Sequence, residues 1–550
     1  MKYCHPYKSI YKSLLIIILV VFLSYVSGCS NSPKEEVLAA ETKLLRIGST
    51  LNIKQINPLT DYYYNILAML MTHDSLVHFD PDLQVVPQLA QSWECLEGGK
   101  LWKFRLVPDA RWHDGYPVSA TDVKFTFKYL ALHNPSAGWI ADLVEDIQTD
   151  DTEVIFRLKK PYSRFLINAG FVVRILPKHI WEEIDSPLRI NNREITTGCG
   201  PFIFNSFNQK ANKICFDVNK NYYGVIPDIE RIEFHLYQNM DALTLALLKK
   251  KIDVYYKYAS GYPVQYLKKI IGNSNLELAE ADSMGIPAAL GFNMKHKPLD
   301  KLDIRKAIAL SINYKRINQC LFGGKGRVPG AGFVPPVFPF WIGLSELTYN
   351  PQESRRLLSS SGLVDNNEDG ILELPEGKKL SLTLLSRADL GDTQLVKLLK
   401  HDLKAVGLDL VIQSTDLSTW IAFLQNDRYD LVLFRTTPWG MMMHAGYSSG
   451  YFDSRRKGGG TIGNLTDSDF FSLCDRILAT TEPSSSKRLY HELQAYYARH
   501  LPAIALSWSK NIYPFHKNWQ GFRIHQLEGG LANRFSWRFL KFVELPDSGE

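Results

Sequence analysis

Several stretches of this sequence carry side chains that could do chemistry. His113 and Asp114 stand together before Gly115, and Gly446-Tyr447-Ser448-Ser449-Gly450 spells the GxSxG pattern of a nucleophile elbow. Asp365 to Glu376 places oxygens at loop positions one, three, five and twelve and a glycine at six, the spacing of a calcium loop. Trp439-Gly440-Met441-Met442-Met443-His444 gathers an indole, three thioethers and an imidazole in one loop. A histidine and aspartate adjacent on a turn cannot face each other as a relay, so His113 and Asp114 are expected to bind local backbone or cap a helix starting near Ser119. An elbow needs a strand running into its serine and a helix leaving it. Gly446 comes twelve positions after Phe434, and the glycines at 458–460 do not read as a helix, so a serine hydrolase acting through Ser448 is kept only as a remote alternative. The chain is expected not to be an enzyme and to need no cofactor. In the calcium-like stretch Pro375 opposes a following helix and Lys378 and Lys379 come next, which favours a plain turn over bound calcium.

The elements that would position the Trp439 loop are legible between residues 350 and 435. Asn350-Pro351-Gln352-Glu353 is a helix start with a cap and a proline in the first turn, and Gly362 is its stop. Leu380 to Leu384 alternates as a strand, Thr393 to Val406 repeats leucines as an amphipathic helix, and Leu408 to Ile412 is a second strand. Asp416 caps a short helix, and Tyr429 to Phe434 is a third strand, apolar enough to be buried on both faces. The order β-α-β-α-β implies an α/β fold with parallel strands, whose ligands bind beyond the carboxyl ends of the strands. That places the candidate site in the loop after Phe434.

Other features set location and exclude classes. Lys2, Lys8 and Lys12 precede an apolar run from Leu14 to Leu23, short for a membrane span and correctly built for a secretory signal. Val26-Ser27-Gly28-Cys29 resembles a bacterial lipobox. Residues 1–28 are therefore read as a lipoprotein signal peptide, Cys29 as the lipidated residue, and 29–42 as a polar tether. The protein is expected to be exported and lipid-anchored in the cell envelope, periplasmic or at the surface. With 63 basic and 57 acidic residues in 550, charge is too balanced to predict a nucleic-acid partner. Cys95, Cys199, Cys215, Cys320 and Cys474 lack CxxC spacing, which argues against a zinc cluster; Cys199 and Cys215 flank a hairpin and either pair or lie buried as small apolar residues. Lys249-Lys250-Lys251 ends an apolar helix and reads as a solvated terminus.

Residues 85 to 123 carry Val85-Val86-Pro87-Gln88-Leu89-Ala90, then Trp102-Lys103-Phe104, then Trp112-His113-Asp114-Gly115-Tyr116-Pro117-Val118-Ser119-Ala120-Thr121-Asp122-Val123. This run resembles the signature of the family 5 extracellular solute-binding proteins, the peptide and nickel receptors of ABC importers. Thr197-Gly198-Cys199-Gly200-Pro201-Phe202 resembles a further family segment, with Cys199 in place of the usual threonine. The resemblance implies a two-lobed clamp with an extra inserted domain: domain I from 43–75, 206–283 and 509–545, domain II from 76–205, and domain III, the second lobe, from 284–508. It also implies ABC permease subunits as partners, an interlobe ligand and a monomer. Tyr62 and Tyr63 fall where the family's first segment nears the cleft. Peptide-binding members place an aspartate soon after the loop tryptophan, and here no acid follows Trp439 until Asp453. The nickel branch has an Arg-Thr pair before that tryptophan and a histidine after it, roles matched by Arg435, Thr436 and His444, with Met441, Met442 and Met443 as a departure. The expected ligand-binding set is thus Tyr62, Tyr63, Arg435, Thr436, Trp439, Met441, Met442, Met443 and His444. The preferred cargo is nickel or another metal in a chelate with His444 as the protein's metal ligand, and an oligopeptide or dipeptide is the alternative.

Overall fold

The computed structural model describes residues 43–134, 137–442, 451–455, 462 and 464–544, the side chain of Tyr62 excepted. Three sheets organise them. The largest runs in the order Leu276–Asp282, Lys510–His516, Val254–Tyr255, Leu44–Ser49, Arg231–Leu236, Lys213–Val218 and Phe202–Asn208. Leu44–Ser49 lies parallel to both of its neighbours, which is why the helix Met240–Leu248 must cross over between Arg231–Leu236 and Val254–Tyr255. An antiparallel sheet of Ala90–Leu96, Leu101–Leu106, Glu153–Leu158 and Val144–Thr149 is covered by the helix Ala120–His133. The helix begins where the sequence suggests, but Ser119 and Asp122, not His113 or Asp114, cap it by closing a capping box.

The third sheet has the order Asp409–Thr415, Ser381–Arg387, Leu431–Thr436, Ile286–Phe292 and Ala503–Ser507. Its first three strands are parallel and joined by the helices Thr393–Lys404 and Leu417–Gln425, so the β-α-β-α-β unit expected from residues 380–434 is present. The sheet as a whole is mixed, because Ile286–Phe292 enters antiparallel beside Leu431–Thr436 and pairs with Ala503–Ser507 on its other side. Asn350 caps Pro351–Ser360 by accepting from the Glu353 amide, and Gly362 takes φ +86°, the left-handed turn that ends it.

A buried polar knot ties the chain termini to the centre. Asp74 accepts from Arg534 Nη1, from Gln88 Nε2 at 3.0 Å and from the hydroxyl of Tyr223 at 2.6 Å. Arg534 also donates to the carbonyls of Met69 and His73, at the end of the helix Tyr62–Met71. Its backbone amide donates to Glu528, whose other oxygen meets His78 Nε2 at 2.9 Å. Burial alone would raise the Glu528 carboxyl, but His78, His525 and Arg534 bring it down to about 2. Each charge is taken from water and returned a partner, the condition for tolerating ions at this depth.

The same helix end explains the segment around Cys199. A Cβ on Gly198 would stand 1.8 Å from the Thr72 carbonyl oxygen, and one on Gly200 2.6 Å from that of Met71. His113 secures this approach: its Nδ1 accepts from the Gly198 amide at 3.2 Å and its Nε2 donates to the Gly200 carbonyl at 3.1 Å. Asp114 accepts from His179 at 2.8 Å. Cys199 and Cys215 are free and buried, the second beside Glu233. In the calcium-like stretch, Asp365 accepts from the amides of Asp369 and Gly370, and Asp369 is paired with Lys379, so these oxygens close a turn.

Two outcomes follow. Gly198→Ala should lower stability by about 1–3 kcal/mol or prevent folding, because backbone on both sides must move, and thermal melting reads this directly. His73 is buried among His113, Arg174 and Arg534, and burial foremost pulls its pKa down to about 3. The unfolded chain therefore takes up this proton first. Stability should be full above pH 6.5 and fall as pH drops towards 3, and His73→Gln should flatten that part of the melting-temperature profile.

Candidate ligand-binding cleft

The body built on the third sheet is joined to the rest by two chain crossings, near residues 283–285 and 508–510, tied by a hydrogen bond from the Ser283 amide to the Ser509 carbonyl at 2.9 Å. Gly285 presses on the loop that follows Leu431–Thr436: a Cβ there would lie 2.4 Å from the Thr436 carbonyl and 3.3 Å from Pro438. The Thr436 side chain is buried and accepts from the Ile286 amide at 2.8 Å. Thr437 then caps a single turn, Pro438–Gly440, by accepting from the Gly440 amide at 3.0 Å. These contacts fix the base of Trp439.

Trp439 is received by the opposite body. Its indole Nε1 donates to the Leu527 carbonyl, and its ring lies 5.1 Å from Phe171 and 6.4 Å, edge-on, from Tyr258. The Arg174 guanidinium stands over it at 5.1 Å, a cation–π geometry. Arg174 is buried, and its Nη1 donates to the Val172 carbonyl. Among the described residues nothing accepts from its Nε or Nη2. Burial, with Arg534 adding repulsion, pulls its pKa down to about 9, still leaving it charged at neutral pH.

The expected residues divide. Arg435 is exposed at the carboxyl end of its strand and is held by the Asp392 carboxylate and the Leu390 carbonyl, across the switch point between the first and third parallel strands. Tyr63, half-buried, faces Arg387 and Asp389 from the other body, and Lys257, whose pKa burial lowers, faces Arg435 and Asp389. Met441 and Met442 are buried in the large apolar core, where the Met442 carbonyl accepts from Arg164. Ser163 beside it donates to the carbonyls of Ile477 and Leu478, a further contact across the two bodies. The side chain of Tyr62, and Cys29, Met443, His444 and Ser448 altogether, lie outside the described residues. Four cations, Arg174, Lys257, Arg387 and Arg435, thus stand about the cleft with the carboxylates Asp389 and Asp392, and the latter two already pair with Arg387 and Arg435.

Sequence reasoning missed Arg174, Phe171, Lys257 and Tyr258. A signal for Arg174 was present: a lone charge inside Phe171-Val172-Val173-Arg174-Ile175-Leu176, an apolar run in which arginine needs a reason.

Two bodies joined by paired crossings, with aromatic and charged groups meeting between them, define a two-lobed solute-binding clamp. Residues 84–458 match the bacterial extracellular solute-binding proteins, family 5 (middle region), and the chain belongs to that family. It is 24% identical over 462 residues to the nickel-binding periplasmic protein of Escherichia coli (strain K12), covering 80% of this chain and 84% of that one. It is 24% identical over 435 residues to the oligopeptide-binding protein AppA of Bacillus subtilis (strain 168), covering 76% and 78%. The crystal structure of NikA from Brucella suis in complex with Fe(III)-EDTA superposes with a TM-score of 0.78 at 19% identity, covering 91% of this chain and 99% of that one.

Proposed function

We propose that this chain is the lipid-anchored, cargo-capturing subunit of an ABC importer and that it takes up a small carboxylate-bearing solute, a nickel or other metal chelate in preference to an oligopeptide or dipeptide. The reading divides the clamp as 43–75, 206–283 and 509–545 for domain I, 76–205 for domain II and 284–508 for domain III, anchors a monomer through Cys29, and assigns it no chemistry of its own. Relatives named for nickel and for oligopeptide binding support cargo of these two kinds.

The observation that carries the preference is Arg174. A guanidinium buried between the lobes with two donor nitrogens unclaimed among the described residues is costly alone and stabilised by an incoming carboxylate, which can accept from it in a fork. A peptide's ammonium needs the reverse, a free acid, and Asp389 and Asp392 are already engaged by arginines. Among the described residues no three His, Cys, Asp or Glu side chains come together to hold a metal, so the chelator supplies most of its ligands and His444 one. Trp439 and Tyr258 form the apolar wall and Arg435 the second anchor for carboxylate.

Native mass spectrometry of the purified protein with elemental analysis tests the cargo: a co-purifying metal chelate supports the reading, and a mixture of short peptides overturns the preference. Titrated with a nickel–L-histidine complex, Arg174→Gln should bind at least 30-fold more weakly, about 2 kcal/mol, with Arg174→Lys recovering part of the loss. His444→Ala should weaken the same titration at least tenfold, about 1.4 kcal/mol, and unchanged affinity would remove the histidine from the ligand set.

A further inference from the structure

The strand register brings a basic edge together where the N-terminal segment enters the fold. Ile47 pairs in parallel with Val254, the Asp253 amide donates to the Arg46 carbonyl and the His516 amide to the Asp253 carbonyl, so Lys43, the turn Lys249–Lys251 and Lys517 lie at one end of the largest sheet. Lys249, Lys250 and Lys251 are exposed. Lys250 acts electrostatically on His516, whose ring donates to the Leu247 carbonyl at 2.8 Å and whose neighbour Lys517 donates its amide to Asn275 at 3.0 Å. The loop holding Asn275 also carries Ile271, an isoleucine 62% exposed. Among the described residues no carboxylate lies within ion-pair distance of Lys249, Lys250, Lys251 or Lys517, whereas Lys43 is paired with Glu230 and Lys269 with Asp241. Leaving aside the Lys269–Asp241 pair, the six lysines Lys43, Lys220, Lys249, Lys250, Lys251 and Lys517 stand with the three carboxylates Asp228, Glu230 and Glu277 along this edge.

We propose that this edge, Lys249–Lys251 with Lys517 and the apolar Ile271, docks on an anionic lipid surface. Lysines at such a surface each contribute on the order of 1 kcal/mol at low salt, and an exposed aliphatic side chain among them adds insertion into the headgroup layer. The tether fixes the occupant. On the reading that Cys29 is lipidated, it stands fourteen positions before Lys43, a length spanning at most about 50 Å, so an anchor there keeps the end of the sheet beside Lys43 within reach of the membrane. The docked orientation leaves the crossings at 283–285 and 508–510 free, and the clamp can open while seated.

The test uses the leaderless chain from Ser30, which carries no acyl group, in co-sedimentation with vesicles of phosphatidylcholine alone or with three-tenths phosphatidylglycerol. The wild type should sediment with the anionic vesicles only, and release at 0.5 M salt, where screening is nearly complete. The triple change Lys249→Gln, Lys250→Gln and Lys251→Gln should lower partitioning at least tenfold. Lys397→Gln, Lys400→Gln and Lys404→Gln, exposed on the helix Thr393–Lys404 of the other lobe, remove the same charge and should leave it within twofold. Lys249→Gln with Lys251→Gln, sparing the left-handed Lys250, gives a second readout should the triple variant misfold. Failure of the wild type to sediment, equal binding to neutral vesicles, or equal losses from the two triple changes overturns the proposal.

Discussion

A carboxylate and a guanidinium removed from water set the frame for the rest. Asp74 and Arg534 are separated by most of the chain, yet each completes the other, and the groups around them draw in the end of the helix Tyr62–Met71, the tyrosines at 222 and 223, Gln88 and the C-terminal segment. Removing either partner would strand the other charge in a low-dielectric interior at a cost of about 3–5 kcal/mol. Nearby, the two oxygens of Glu528 are taken up by the His78 ring and the Arg534 backbone amide. Arg174 lies within reach of this field and feels Arg534 as repulsion and Glu528 as attraction, but no carboxylate among the described residues closes on it. A structural pair and the cation proposed to bind cargo thus share one electrostatic neighbourhood and differ in whether the described residues supply the counter-ion.

The second lobe was largely readable from local pattern. Asn350, Pro351, Asp416 and Gly407 punctuate helices whose apolar faces repeat at the helical period, and the strands between them are short and aliphatic. Strand direction for Ile286–Phe292 and Ala503–Ser507 was not readable, because those segments pair across some two hundred residues and nothing local states which neighbour they meet. The first lobe is harder still, since its largest sheet is assembled from pieces between Leu44 and His516.

The site divides along the same line. Arg435, Thr436 and Trp439 sit at the end of a strand whose position periodicity gives, so their neighbourhood was legible. Thr436 proves to serve the backbone of Ile286, and Met441 and Met442 the core, roles that depend on which way the chain turns after Trp439. Phe171, Arg174 and Tyr258 come from the opposite body, and only the meeting of the two lobes brings them to the indole. A site divided between lobes is half-visible to any reading that proceeds along one of them.

Gly285 has a mechanical meaning of its own. With no room for even a methyl group between the first crossing and the Thr436–Pro438 backbone, the crossing and the Trp439 turn are packed as a single piece. The angle between the lobes and the set of the Trp439 turn are therefore geared together at the base. A side chain at this crossing would have to displace the turn that carries Trp439, and with it the face that the indole offers to Phe171 and Arg174.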